Sequence, residues 1–243
     1  MRVFAKSDIG KARNINQDSY YIPEKNEQIQ LFVLADGMGG YNGGEIASRL
    51  AVQAVITYVK EHFNSIQWNR EYVLNFIKEV IEYANQVVYN KAKTTQELAE
   101  MGTTLEVCLI YHNKAFIGHI GDSRIYRIRK QFIRRLTVDH SYVEKLVKDG
   151  TITRQESYTH PKKNMLTKAL GCDEHIEPDV MVKGFLPEDI ILMCSDGLTN
   201  LVSENEIYGM LKSNVEIAVN NLVQRANDNG GLDNITVIVI ENN

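Results

Sequence analysis

The sequence predicts an α+β fold in which antiparallel sheets carry helices on their outer faces. Three observations predict it. Strand-like runs dominate both ends of the chain, two long amphipathic helices lie between them, and links between consecutive strands are short. At 243 residues the chain has the size of one large sheet-rich domain, so a single domain over 1–243 is expected. Hydrophobic residues at 44% supply a substantial core, and charged residues at 24% argue against wholesale disorder.

Residues 1–7 alternate like a strand, and 8–18 are polar. Leu31, Phe32, Val33, Leu34 and Ala35 make 30–35 a continuous apolar run, as expected of a buried strand. It stops at Asp36-Gly37, and a glycine-rich loop runs on through Gly39, Gly40, Gly43 and Gly44. A helix over 44–62 places Ile46, Ala47, Leu50, Ala51, Val55 and Val59 at three- and four-residue spacing. A second, over 69–92, does the same with Val73, Phe76, Ile77, Val80, Ile81 and Ala84. Core packing accounts for both stripes. Runs at 103–111, 115–120, 124–129 and 132–136 read as an antiparallel meander. Residues 139–171 turn helical and irregular, so short helices and a mobile loop are expected. Strands at 180–185 and 189–194 follow. Ser203 and Glu206 have capping-box spacing at the start of a helix. A helix over 215–227 and a strand over 235–240 close the chain.

Several function classes are disfavoured. A net charge of −4 does not attract nucleic acid. No apolar run nears the ~20 residues of a membrane helix, and the first ten residues alternate like a strand rather than a signal peptide. The three cysteines, Cys108, Cys172 and Cys194, are odd in number and lack CxxC spacing. Cys108 and Cys194 read as small buried hydrophobes in a reducing, cytoplasmic setting. The basic run 124–135 reads as a hairpin with a solvated cationic face, the alternative being a docking surface for acidic partners.

The aspartates carry the chemistry. Asp36 ends one apolar run, Asp196 ends another, and Asp233 opens a third. Asp122 follows 116–120, and Asp18 closes the string Arg13-Asn14-Ile15-Asn16-Gln17-Asp18. A single Asp-Gly is most simply a turn. As a set, these residues put carboxylates at the mouths of strong strands. Strands packed side by side would gather the charges on one edge, an arrangement that calls for cations. Oxygen-only donors suit Mg²⁺ or Mn²⁺. The six histidines show neither HExxH nor a tight cluster, which argues against zinc. Gly37-Met38-Gly39-Gly40-Tyr41-Asn42 fails the dinucleotide fingerprint, and no GxxxxGK[ST] occurs. Its glycines suit tight turns and a close approach of the Gly37 carbonyl to a metal.

The ordered strings Arg13…Asn16-Gln17-Asp18-Ser19, Ala35-Asp36-Gly37-Met38-Gly39-Gly40, Gly102-Thr103-Thr104, Gly118-His119-Ile120-Gly121-Asp122-Ser123-Arg124, Leu166-Thr167-Lys168-Ala169-Leu170-Gly171, Ser195-Asp196-Gly197-Leu198 and Asp233-Asn234-Ile235-Thr236 resemble the metal-dependent protein phosphatases. These are the type-2C serine/threonine phosphatases, and the likeness is to their compact bacterial branch. It spans nearly the whole chain. The resemblance implies a four-layer αββα sandwich, two antiparallel sheets flanked by helices, with a metal centre at one edge. It implies that Asp36 bridges two Mn²⁺ or Mg²⁺ ions, with the Gly37 carbonyl on one and Asp196 and Asp233 on the other. It assigns Asp18 to orienting water, Asp122 to a third, weaker ion shared with Asp196, and Arg13 to the phosphate. It makes residues 139–171 a flap beside the active site. Where many eukaryotic members carry His after the Asp-Gly pair, as a proton donor, this sequence has Met38, which leaves the general acid unassigned.

Such a site hydrolyses phosphate monoesters with a hydroxide held between two cations, without a covalent phospho-enzyme. Arg13 adds a bidentate clamp that lysine would not reproduce. The expected partners are phosphorylated proteins, including a bacterial Ser/Thr kinase and its substrates, and the expected state is a monomer. The alternatives are a catalytically weak phosphoprotein-binding module, a hydrolase of small phosphate esters, and a narrow phosphatase for an anti-sigma-factor antagonist.

Overall fold

Continuous apolar runs mark strands buried on both faces, and that double burial sets the layering. The computed structural model describes residues 1–243, the side chains of 40–42 excepted, and the part of the glycine-rich string that falls there lies outside the described residues. In chain order the strands are β1 (Arg2–Asp8), β2 (Asp18–Tyr21), β3 (Gln30–Met38), β4 (Gly102–Thr103), β5 (Leu105–Tyr111), β6 (Lys114–Ile120), β7 (Arg124–Arg129), β8 (Phe132–Arg135), β9 (Asp179–Gly184), β10 (Ile190–Cys194) and β11 (Ile235–Glu241). The helices are α1 (Gly40–His62), α2 (Arg70–Thr94), α3 (Tyr142–Lys148), α4 (Arg154–Ser157), α5 (Asp196–Thr199), α6 (Glu204–Ser213) and α7 (Val215–Asp228).

One sheet runs β1-β11-β10-β7-β8 and the other β2-β3-β5-β6-β9, with β4 paired to β3. The paired strands are antiparallel. Alternation along β3 shows the layers. Phe32 and Leu34 point inward, where they meet Ile191, Met193, Ile238 and Ile240 of the facing sheet. Leu31, Val33 and Ala35 point outward against Ala47, Ala51 and Val55 of α1 and Ile77 and Val80 of α2. On the opposite side Leu192, Val237 and Val239 pack under Ile207 and Leu211 of α6 and Leu222 and Val223 of α7. Two packed sheets between two helical layers give the expected α+β αββα sandwich.

Three expectations are corrected, and one strand is added. The meander is divided, because β5 and β6 belong to one sheet and β7 and β8 to the other. The chain changes sheet across residues 121–123, a link short enough to resemble a hairpin. The polar stretch 8–18 runs into a short strand, β2, along β3. The glycine-rich loop is shorter than expected, since α1 begins at Gly40 and takes Gly43 and Gly44 into its first turns. The basic run is not simply solvated. Arg124 donates to Asp139 at 2.6 Å and Arg129 to Asp189 at 2.5 Å.

Residues 139–171 hold the short helices α3 and α4, the latter closed by a Thr153–Glu156 capping box. The capping box of Ser203 and Glu206 is also present. Cys108 and Cys194 are buried, and Cys172 is exposed. No helix among the described residues is long and apolar enough to cross a membrane.

Asn85 ties residues 171–174 to α2. It is 1% exposed, donates to the carbonyls of Asp173 and Glu174, and accepts from Gly171 N–H at 2.9 Å. Asn85→Ala leaves those backbone groups without this partner. A loss of about 2–3 kcal/mol is expected, seen as a melting temperature lower by roughly 5–10 °C.

Candidate metal centre

Strand pairing delivers four carboxylates to one edge of the sandwich. β3 continues through Asp36, because Gly37 and Met38 still pair with Thr103 and Gly102 of β4. Thr104 fixes the Asp36 backbone from both sides: Asp36 N–H donates to Thr104 Oγ1, and Thr104 N–H to the Asp36 carbonyl, each at 2.9 Å. A Cβ at Gly37 would lie 2.0 Å from the Gly44 carbonyl oxygen and 2.6 Å from that of Gln17, so only glycine fits.

On the other sheet, β10 and β11 run antiparallel, so the end of one lies beside the start of the other. Asp196 opens α5 just after β10, and Asp233 precedes β11. Between them a Cβ at Gly197 would sit 2.0 Å from the Asn234 carbonyl oxygen, so glycine is what lets α5 close onto the strand. Asp122 sits where the chain crosses from one sheet to the other. Arg13 reaches in from the N-terminal loop, and its Nη2 donates to Asp233 Oδ2 at 2.8 Å.

Asp36, Gly37, Asp122, Asp196, Asp233 and Arg13 line a single cleft of about 550 Å³. Asp18 is handled differently. It faces Asp36 in register on β2 but lines a neighbouring cavity with Asn16 and Arg49. Its Oδ2 accepts from Ser195 Oγ at 2.9 Å, whereas Oδ1 is buried with no hydrogen-bond partner.

Asp18, Asp36, Asp122 and Asp196 are each shifted by neighbouring acids. Burial, then the charges of Asp18, Asp196, Asp122 and Asp233, raises Asp36 well above the usual carboxylate range. Burial and Asp196 do the same to Asp122. Asp18 is pushed to about 7, mainly by burial. Asp196 rises to about 6 through burial and the charge of Asp233. The Asp233 hydrogen bond, helped by the charges of Asp36 and Asp196, raises Arg13. One guanidinium therefore faces several partly desolvated carboxylates, an excess of negative charge at close quarters.

Among the described residues no group of three or more His, Cys, Asp or Glu closes into a ready-made metal cage. The carboxylates share a cleft and a field rather than a formed coordination sphere. Their chemistry still fits a hard divalent cation: all donors are oxygen, most are anionic, and Asp18 keeps an oxygen without a partner. No histidine or cysteine among the described residues lines the cleft, which does not suit zinc.

Two supporting residues were not assigned roles from the sequence. Asn234 Oδ1 accepts from Gln17 N–H at 2.8 Å, and its Nδ2 donates to the carbonyls of Ile9 and Ile15. It stitches the loop bearing Arg13 to the strand bearing Asp233. Ser195 Oγ accepts from Thr236 N–H while donating to Asp18. The available signal was their position, each directly beside a strand-mouth aspartate.

Asp18→Asn removes one buried charge and keeps an oxygen to accept from Ser195. Without added metal at pH 8, the melting temperature of this variant is expected to exceed wild type by roughly 3–6 °C. Thermal unfolding checks this, and an unchanged or lower value would contradict the repulsion described above.

The protein phosphatase 2C family matches residues 11–233. The protein phosphatase PhpP of Streptococcus pneumoniae is 37% identical over 248 residues, covering 100% of this chain and 98% of that protein. The crystal structure of the S. agalactiae serine/threonine phosphatase superposes with a TM-score of 0.91 at 33% identity, covering 100% of this chain and 99% of that one. The catalytic domain of the serine/threonine protein phosphatase PstP, solved with two manganese ions, gives 0.85 at 32% identity over 98% of this chain and 96% of its own. With a family match across most of its length and full-length relatives above 30% identity, this chain belongs to the protein phosphatase 2C family.

Proposed function

We propose that this chain dephosphorylates phosphoserine and phosphothreonine on proteins through a centre in which Asp36, the Gly37 carbonyl, Asp196 and Asp233 hold two Mn²⁺ or Mg²⁺ ions. Family membership makes it a metal-dependent protein-serine/threonine phosphatase. One observation supports the placement of the site: four carboxylates from separate strand ends share one cleft with Arg13.

When bound, a pair of hard cations supplies Lewis-acid charge and an acidified water. The protein groups do the rest. Asp36 lies in the field of every other acid of the centre, which suits a bridging position. Asp18 keeps Oδ1 for orienting the attacking water. Arg13 spends one N–H on Asp233 and has four others for a bidentate grip on the phosphate. Met38 lines the cleft and no histidine does among the described residues, which leaves the proton donor to the leaving alkoxide unassigned. Asp122, in the field of Asp196, would hold a third and weaker ion. Residues 1–243 act as a single cytoplasmic, monomeric catalytic unit whose flap covers 139–171. Its partners are a Ser/Thr kinase and the proteins that kinase phosphorylates.

Asp36→Asn and Asp233→Asn are expected to lower phosphopeptide turnover by at least about a thousandfold. Calorimetric titration should show Mn²⁺ binding lost in parallel. Chelation of wild type with EDTA should abolish turnover, and added Mn²⁺ should restore it. Binding that survives in both variants ends this ligand assignment. Faster hydrolysis of sugar phosphates than of phosphopeptides ends the protein-substrate reading.

A further inference from the structure

Beneath the root of the flap lies a buried acid–base pair that phosphate hydrolysis does not use. Glu106 on β5 and His119 on β6 are cross-strand partners, and both are fully buried. His119 Nδ1 lies 2.5 Å from Glu106 Oε1, and Nε2 lies 2.8 Å from the Val138 carbonyl oxygen. Each ring nitrogen thus faces an oxygen, so the contacts need a proton at both. Glu106 Oε2 has no hydrogen-bond partner, which leaves the carboxylate committed to His119.

The His119 ring stacks on that of His140, with centroids 4.6 Å apart and planes at 22°. His140 in turn grips the sheet crossing. Its Nδ1 accepts from Gly121 N–H at 3.1 Å, its own N–H donates to the Gly121 carbonyl at 2.7 Å, and its carbonyl accepts from Thr167 N–H at 2.8 Å. One residue therefore joins the crossing loop to both sides of the flap root. Asp122 directly follows Gly121 in the chain.

Stability alone does not explain such a pair. Taking two ionisable groups out of water is costly, and well-packed apolar residues of similar volume commonly do as well or better. What the pair provides is direction: a short bond on one side of His119 and a carbonyl of the flap root on the other. We infer that Glu106 and His119 are positioning residues that set the Gly121-Asp122 loop and the flap root for turnover, acting through His140 and Val138. This rests on the reading of Asp122 as the weak-ion ligand.

Two variants test it: Glu106→Gln, nearly the same shape, and the apolar double variant Glu106→Leu/His119→Phe. Each is assayed for melting temperature, for hydrogen exchange at the Gly121 and His140 amides without metal, and for Mn²⁺ dependence of phosphopeptide turnover. The double variant should keep or raise the melting temperature, while both variants speed exchange at the two amides about tenfold. The Mn²⁺ needed for half-maximal turnover should rise about tenfold, with the KM for phosphopeptide and the calorimetric affinity of the tight ion pair unchanged. Wild-type exchange in Glu106→Gln overturns the positioning. Faster exchange with wild-type Mn²⁺ requirement and kcat overturns its link to turnover. Asp122→Ala serves as the separate control. If that variant keeps the wild-type Mn²⁺ requirement, the weak-ion reading fails, and the exchange measurement still decides the positioning.

Discussion

Like charges held close together in a partly desolvated cleft are the constraint on which this structure depends. Asp36, Asp122 and Asp196 are raised above the usual carboxylate range by burial and by one another, and Asp18 behind them shares their field. Among the described residues lining the cleft, Arg13 is the one cation, and Arg124 acts on Asp122 and Asp196 from beside it. The opposing forces come from the scaffold. β3 and β10 carry dense apolar packing on both faces, and that packing anchors the strand ends from which the acids project. Gly37 and Gly197 let backbones approach where any side chain would collide. Asn234 and Ser195 tie the loops together with hydrogen bonds that must be broken before the acids can separate. A site of this kind trades stability for function, as strained active sites commonly do.

Residues 139–171, the proposed flap, obey the same economy of charge. Arg124 and Arg135 both reach Asp139, and Arg135 and Arg154 both reach Glu144. Arg124 and Arg135 come from the run that reads as an open basic face, and Arg154 from α4. Here they neutralise the flap's own acids next to Asp122. A second cleft, containing Asp139, Glu144 and Arg154, adjoins the first through Asp122, Asn164 and Asp196. Residues 139–171 are thus fastened to β7 and β8 by partly buried ion pairs, and the Glu106–His119 pair lies under the start of that segment.

Much of this was legible in the sequence, and the limits have physical causes. Strands such as 31–35 and 235–240 were plain because strands buried on both faces lose the apolar–polar alternation and become continuous hydrophobic runs. The aspartates stood out because they interrupt those runs. β2 was not legible, since Asp18-Ser19-Tyr20-Tyr21 is short and half polar, and it is a strand only because β3 lies beside it. The switch of sheet at 121–123 was hidden for a related reason. Pairing partners are set by distant residues, and a three-residue link reads as a turn whichever sheet receives it. The separation of Asp18 from the main cleft depends on the same non-local register. Glu106 and His119 gave no warning at all, because an acid and a histidine thirteen positions apart mean nothing until β5 and β6 pair.

The most direct test of the central claim is the melting temperature of the wild-type protein as Mn²⁺ is raised from zero. If cations relieve the repulsion among these carboxylates, stability climbs with the logarithm of free Mn²⁺, by about 2.7 kcal/mol at one hundred times the dissociation constant. Mg²⁺ should act in the same direction. A melting temperature that stays flat across the titration would contradict the claim that this edge of the sandwich is built to hold metal.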